Sequence, residues 1–187
     1  MNTAAEASAN TTSAAGTPQV PEWSEALSLN LPALDETHQE FVQLLGRAVQ
    51  ADDAQLLAVW SEVVAHTQAH FEMENRAFEA TRFPPGGCHL REHTEILAVM
   101  REGLRRGGNG DLALVRQLAS ELGTWFEQHA QSMDAAFALY AHWVGYDFSS
   151  GAVAHPDRIP PAPEPTACDA SAASAAARSA LLSPVAA

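Results

Sequence analysis

The chain has 187 residues, 47% of them hydrophobic and 18% charged, which supplies a core and excludes a wholly disordered polymer. Its 23 acidic residues stand against 10 basic ones, all Arg, and the net charge of −13 argues against nucleic-acid and anionic-membrane partners. Two cysteines are too few for a disulfide framework or a Cys-rich metal site, and no run of about 18 apolar residues is present to span a bilayer.

Residues 1–19 are small and polar, without a basic or a continuous apolar stretch, so a disordered tail is expected there and a cytoplasmic location follows by default. The folded unit is expected over 20–147. Leu31, Leu34, His38, Phe41, Leu45 and Ala48 alternate at spacings of 3 and 4, which predicts a helix with Asp35 as its N-cap. Ala51-Asp52-Asp53 is a short polar joint. Leu56, Trp60, Val63, Thr67, His70 and Glu74 predict a second helix, which Phe83-Pro84-Pro85-Gly86-Gly87 must stop. His89, His93, Ile96, Met100 and Leu104 predict a third, ending at the turn cluster Gly107-Gly108-Asn109-Gly110. Val115, Leu118, Leu122, Trp125 and His129 predict a fourth, capped by Asp111. Four helices with short joints give an all-α class, an antiparallel up-down-up-down four-helix bundle. Residues 148–187 are rich in Ala, Pro and Ser and are expected to form a disordered C-terminal tail.

Six residues on the predicted core seams are polar: His38, His70, Glu74, His89, His93 and His129. Burying an imidazole or carboxylate without a partner costs several kcal/mol. A lone core histidine is usually a hydrogen-bonded structural residue, but six on the seams of four helices exceed what a small core can satisfy. His70 and Glu74 are four apart, as are His89 and His93, so each pair projects from one helical face toward one point. Asp134 follows His129 by five, which rotates it off the seam of an ideal helix. Phe137 and Ala141 keep step with Asp134, so a π-bulge between 129 and 134 is expected to return it. His66, one turn before His70, lies off the seam and is read as solvated or as a neighbour of the ligands. Cys88 is read as a small packing residue, and His142 and His155 receive no role.

Five histidines and two carboxylates exceed one tetrahedral zinc site, and no HExxH sequence is present. The N/O donor set suits two octahedral metal ions with shared bridges, and iron fits it. With a bridging oxygen, one coordination position stays open on the ion with two histidines, where a small diatomic ligand would bind.

Asp35-Glu36-Thr37-His38, His70-Phe71-Glu72-Met73-Glu74, His89-Leu90-Arg91-Glu92-His93 and Trp125-Phe126-Glu127-Gln128-His129 running to Asp134 resemble the motifs of the hemerythrin family. Trp23 matches the aromatic usually found ahead of the first motif, and the likeness covers about residues 20–143. The resemblance implies a bacterial single-domain hemerythrin with an oxo- or hydroxo-bridged pair of iron ions. His89, His93 and His129 would hold one iron, His38 and His70 the other, and Glu74 and Asp134 would bridge them. It implies reversible O2 binding for storage, delivery or sensing; a di-iron oxidase, peroxidase or nitric oxide reductase is the alternative. No protein partner is implied. The chain departs from the family pattern at Asn75, where a second Glu is common, and at Phe78, where Met is common. Phe126 replaces the usual Leu and Ala130 a larger aliphatic; with Trp125 these are expected to wall the ligand pocket.

Overall fold

The computed structural model describes residues 22–161. The expected tail over 1–19 and most of the one beyond 147 lie outside these residues, as does Cys168. A short 3-10 turn, Glu25–Leu27, leads into α1 (Pro32–Gln50), followed by α2 (Leu56–Thr81), α3 (Gly86–Gly108) and α4 (Leu112–His129). A π-helical turn, Ala130–Asp134, joins α4 without a break to α5 (Ala135–Val144). Joints too short to cross the molecule make successive rods antiparallel, and the rods close into a four-helix bundle. Among the described residues, no helix is long and apolar enough to cross a membrane.

The ends of the helices follow local chemistry. Asp111 caps α4, its carboxylate accepting from the Leu114 amide at 3.2 Å. Asp35 is not the N-cap of α1, because Pro32 starts the helix three residues earlier. Its carboxylate instead accepts from Ser28 Oγ at 2.8 Å and from the Leu29 amide at 2.7 Å, pinning the preceding segment to the first turn. α2 stops at Arg82, which takes the left-handed conformation before the two prolines; Gly86 and Gly87 then begin α3 rather than ending α2. Gly107 likewise belongs to the last turn of α3, where a Cβ would lie 2.5 Å from Leu57 Cδ2.

The apolar interior is divided. The larger cluster contains Phe41, Leu45, Trp60, Val63, Met100, Leu118, Leu122 and Phe126, with Trp23 packed against it. The smaller contains Leu34, Ala77, Phe78, Phe83, Phe137 and Ala141. Each rod passes from one cluster to the other through polar residues: His38 on α1, His70 and Glu74 on α2, His89 and His93 on α3, and His129 and Asp134 around the π turn.

The chain also stays ordered past residue 147, where a tail was expected to begin. Tyr146 pairs with Val153, and the amides of Ala154 and His155 return to the carbonyls of Gly145 and Val144 at 3.0 Å each. Asp147 accepts from Ser149 and Ser150 in the turn, and Phe148 packs against Phe137 with ring centres 6.1 Å apart. Small-residue composition hid this hairpin; its aromatic anchors and Asp-Ser-Ser turn hold it.

Candidate metal centre

The fold brings all seven sequence-predicted ligands to one level of the bundle, and all seven are buried. The π turn aims Asp134 inward: the Ala135 amide reaches back five residues to the Ala130 carbonyl, absorbing the extra residue that the sequence phase required.

Two groups of donors form. Atoms of Glu74, His89, His93, His129 and Asp134 lie within 4.8 Å of one another, as do those of His38, His70 and Asp134. The carboxylates connect the groups. Asp134 Oδ1 lies 3.0 Å from His89 Nε2 and 3.1 Å from His129 Nε2, while its Oδ2 lies 3.3 Å from His38 Nε2. Glu74 Oε2 lies 3.3 Å from His93 Nε2 and 3.5 Å from His70 Nε2.

This donor set fits a pair of cations. His129 Nε2 faces both His89 Nε2 at 3.0 Å and His93 Nε2 at 3.3 Å, so three imidazole nitrogens and two carboxylates converge on one point with little water to separate them. Both oxygens of Glu74 and the Nδ1 atoms of His38, His70 and His89 make no hydrogen bond among the described residues despite burial, and the oxygens of Asp134 face only imidazole nitrogens. Such orphans are costly unless a metal satisfies them.

Protonation without metal follows burial and neighbouring charge. Burial, aided by His38, pushes His70 down to about 3. Burial also lowers His89 and His93, the latter helped by the adjacent imidazoles. For His129 burial works downward, but the Asp134 charge and hydrogen bonds to Asp134 and Glu92 prevail and hold it up at about 10. Burial pushes Glu74 above the usual carboxylate range, with the Asp134 charge adding to it. Burial opposes the ionised form of Asp134 too, yet the charge and hydrogen bond of His129 hold that group well below the range.

A small cavity of about 10 Å³ lies against the two-histidine group, lined by His38, His70, Phe41, Thr67, Phe71, Trp125 and Phe126, with His129 and Asp134. Trp125 and Phe126 are therefore at the expected wall. Ala130 does not line this cavity, although it is buried in the same larger apolar cluster as Trp125 and Phe126. A larger groove of about 270 Å³ includes Asn75 and Phe78 in its lining, and these two residues also touch His93 and His89.

The surrounding residues were less evident. His66 Nε2 lies 3.1 Å from the Thr37 carbonyl and joins neither donor group. Glu92 accepts from Trp125 Nε1 at 3.0 Å and from His129 Nδ1 at 3.3 Å. The His129 hydrogen bond holds the Glu92 carboxyl below the usual range. The Asn75 amide oxygen lies 3.2 Å from His93 Nδ1.

The sequence model described as the hemerythrin HHE cation binding domain matches residues 30–140. The chain is similar to a bacteriohemerythrin of Ralstonia nicotianae (strain ATCC BAA-1114 / GMI1000), 41% identical over 135 residues that cover 72% of this chain and 98% of that one. It is also similar to a bacteriohemerythrin of Stenotrophomonas maltophilia (strain R551-3), 25% identical over 120 residues covering 62% and 78% of the two chains. No solved structure gives a significant match.

Proposed function

The chain belongs to the hemerythrin family, and from that premise we propose that it is a non-heme di-iron protein that binds O2 reversibly, for storage, delivery or sensing. His89, His93 and His129 would hold one iron and His38 and His70 the other, with Glu74 and Asp134 shared between them. When bound, the iron pair supplies two electrons and an open coordination position. The observation that carries the reading is the cavity: it abuts the histidine pair that leaves a position free, and its volume of about 10 Å³ suits a small ligand and little else.

The residues around the cavity favour binding over turnover. Phe41, Phe71 and Phe126 exclude water. Thr67 is the one hydroxyl in the wall, and it already donates to the Val63 carbonyl at 2.8 Å. The Trp125 N–H is committed to Glu92 at 3.0 Å. No lining side chain outside the ligands therefore has a proton to spare, which an oxidase, peroxidase or nitric oxide reductase would require. The test is iron content together with absorption spectra through cycles of O2 addition and removal. About two iron atoms per chain and reversible bands are expected. One zinc with no iron would sink the assignment, and irreversible turnover with a co-substrate would favour the enzyme.

A further inference from the structure

Among the seven proposed ligands, the histidines differ in what holds their outward nitrogens. His38, His70 and His89 have Nδ1 atoms with no hydrogen-bond partner among the described residues, and His93 has the neutral amide of Asn75. His129 alone has a carboxylate. Glu92 Oε1 takes the His129 Nδ1 contact at 3.3 Å and the Trp125 Nε1 hydrogen bond at 3.0 Å on the same oxygen. The Trp125 ring is stacked on His129, centres 4.6 Å apart and planes 26° from parallel, and Trp125 also walls the small cavity.

We propose that Glu92 is a positioning residue that locks His129 as a metal ligand and ties that ligand to the cavity wall through Trp125. The inference rests on the di-iron reading above. A carboxylate at Nδ1 fixes the tautomer: the proton sits on Nδ1, and the Nε2 lone pair faces the cluster, where Asp134 Oδ1 lies 3.1 Å away. It also makes the imidazole a stronger donor to a cation. The indole, held by the same oxygen, cannot slide over the imidazole without losing its own hydrogen bond. Glu92 comes from α3, one residue before His93, whereas Trp125 and His129 belong to α4. The contact therefore also sets how the His89/His93 pair meets the third histidine. Its side chain is 15% exposed, enough to keep the ionised form hydrated while shielding the hydrogen bonds.

The experiment is anaerobic titration of iron-free protein with ferrous iron, with tryptophan emission and thermal melting of the iron-free form recorded in parallel. Glu92→Ala is expected to weaken iron binding about 10- to 100-fold, the usual effect of removing such an outer partner, and to shift the indole emission. Glu92→Gln keeps an acceptor oxygen but not the charge; it should restore the emission and recover only part of the affinity. Should the alanine variant not fold, the glutamine variant decides alone, because wild-type affinity there refutes the role of the charge. A lower melting temperature with unchanged iron affinity would show a merely structural contact and overturn the proposal. Wild-type protein that takes up no iron would sink the di-iron reading and this inference with it, whereas iron in wild type and variants alike would sink the inference only.

Discussion

Replacing Phe126 with Ala should turn the small dry cavity beside His38 into a wet one, shortening the life of the oxygenated protein while leaving iron in place. Phe126 is only 4% exposed; its ring meets His38 edge-on at 5.1 Å and Phe41 at 4.9 Å. The cavity of about 10 Å³ lies at the lower limit of the ~10–15 Å³ that one water needs. Loss of the ring opens room for roughly two or three waters. The stability cost should be about 3–5 kcal/mol, within the ~5–15 kcal/mol that domains of this kind hold. Water beside the open position supplies the protons that the native wall withholds. At least a tenfold faster autoxidation is expected, which corresponds to ~1.4 kcal/mol of lost protection. Stopped-flow absorption after O2 mixing reads the lifetime. Leu118→Ala is the control: Leu118 is fully buried, lies roughly 16 Å along the rod from His129, and should cost ~2–5 kcal/mol. An unchanged lifetime in Phe126→Ala, or an equal loss in Leu118→Ala, refutes the reasoning. Phe126→Leu should fall between wild type and the alanine variant.

His66→Ala should keep the full iron content and lose only about 1 kcal/mol, the worth of its contact with the Thr37 carbonyl; iron loss as severe as that of His70→Ala would show the ligand set to be wrong. Iron-free protein should be most stable near pH 6. His70, held down to about 3, and His89 and His93, also lowered, bind protons in the unfolded chain below about pH 6.5, so stability falls as pH drops from there. Glu74, raised, opposes this with one proton against three. His129, held up at about 10, contributes fully below about pH 6.5 and loses that contribution as pH rises toward 10. Each titrating group gives a slope of up to ~1.4 kcal/mol per pH unit. Iron replaces the His129 proton, so the alkaline limb should flatten in the loaded protein. Thermal melts of both forms across pH 5–9 decide it, and an iron-free melting temperature that climbs steadily to pH 9 would refute the assignment.

The polar seam was legible because helical periodicity leaves no neutral explanation for six buried polar groups, and the four-residue spacings aim them in pairs. The π turn was legible as well, since Phe137 and Ala141 keep phase with Asp134 and not with His129. Glu92 and Asn75 were not. A charged or amide residue off the apolar stripe reads as solvent-facing, and only the close approach of α3 to α4 and of α2 to α3 turns them toward imidazoles. Asp35 was misread because the N-cap rule weighs side-chain type, whereas Pro32 had already set the start of the helix. Ala130 was misplaced for a related reason: residues adjacent along a helix lie about 100° apart, so nearness to His129 in sequence does not put a side chain on the same wall.

The placement of the polar belt explains why four separate helices can hold one site. Above and below it the interior is apolar, with Trp60, Met100 and Leu118 on one side and Phe78, Phe83 and Phe137 on the other. Those clusters fix the rods laterally and set their register, so packing brings the seven donors to one level. Phe71 stacked on His93 at 3.7 Å, and Phe78 against His89 at 4.7 Å, carry that positioning onto the ligands themselves. A metal entering such a belt would meet donors already desolvated and already aimed, and it would offset the burial and the Asp134 charge that raise the Glu74 carboxyl. Metal binding would recover the energy lost by burying unpaired polar groups. The same division accounts for the cavity: the wall of Phe41, Phe71 and Phe126 is an extension of the larger apolar cluster, so access to the cavity depends on core packing.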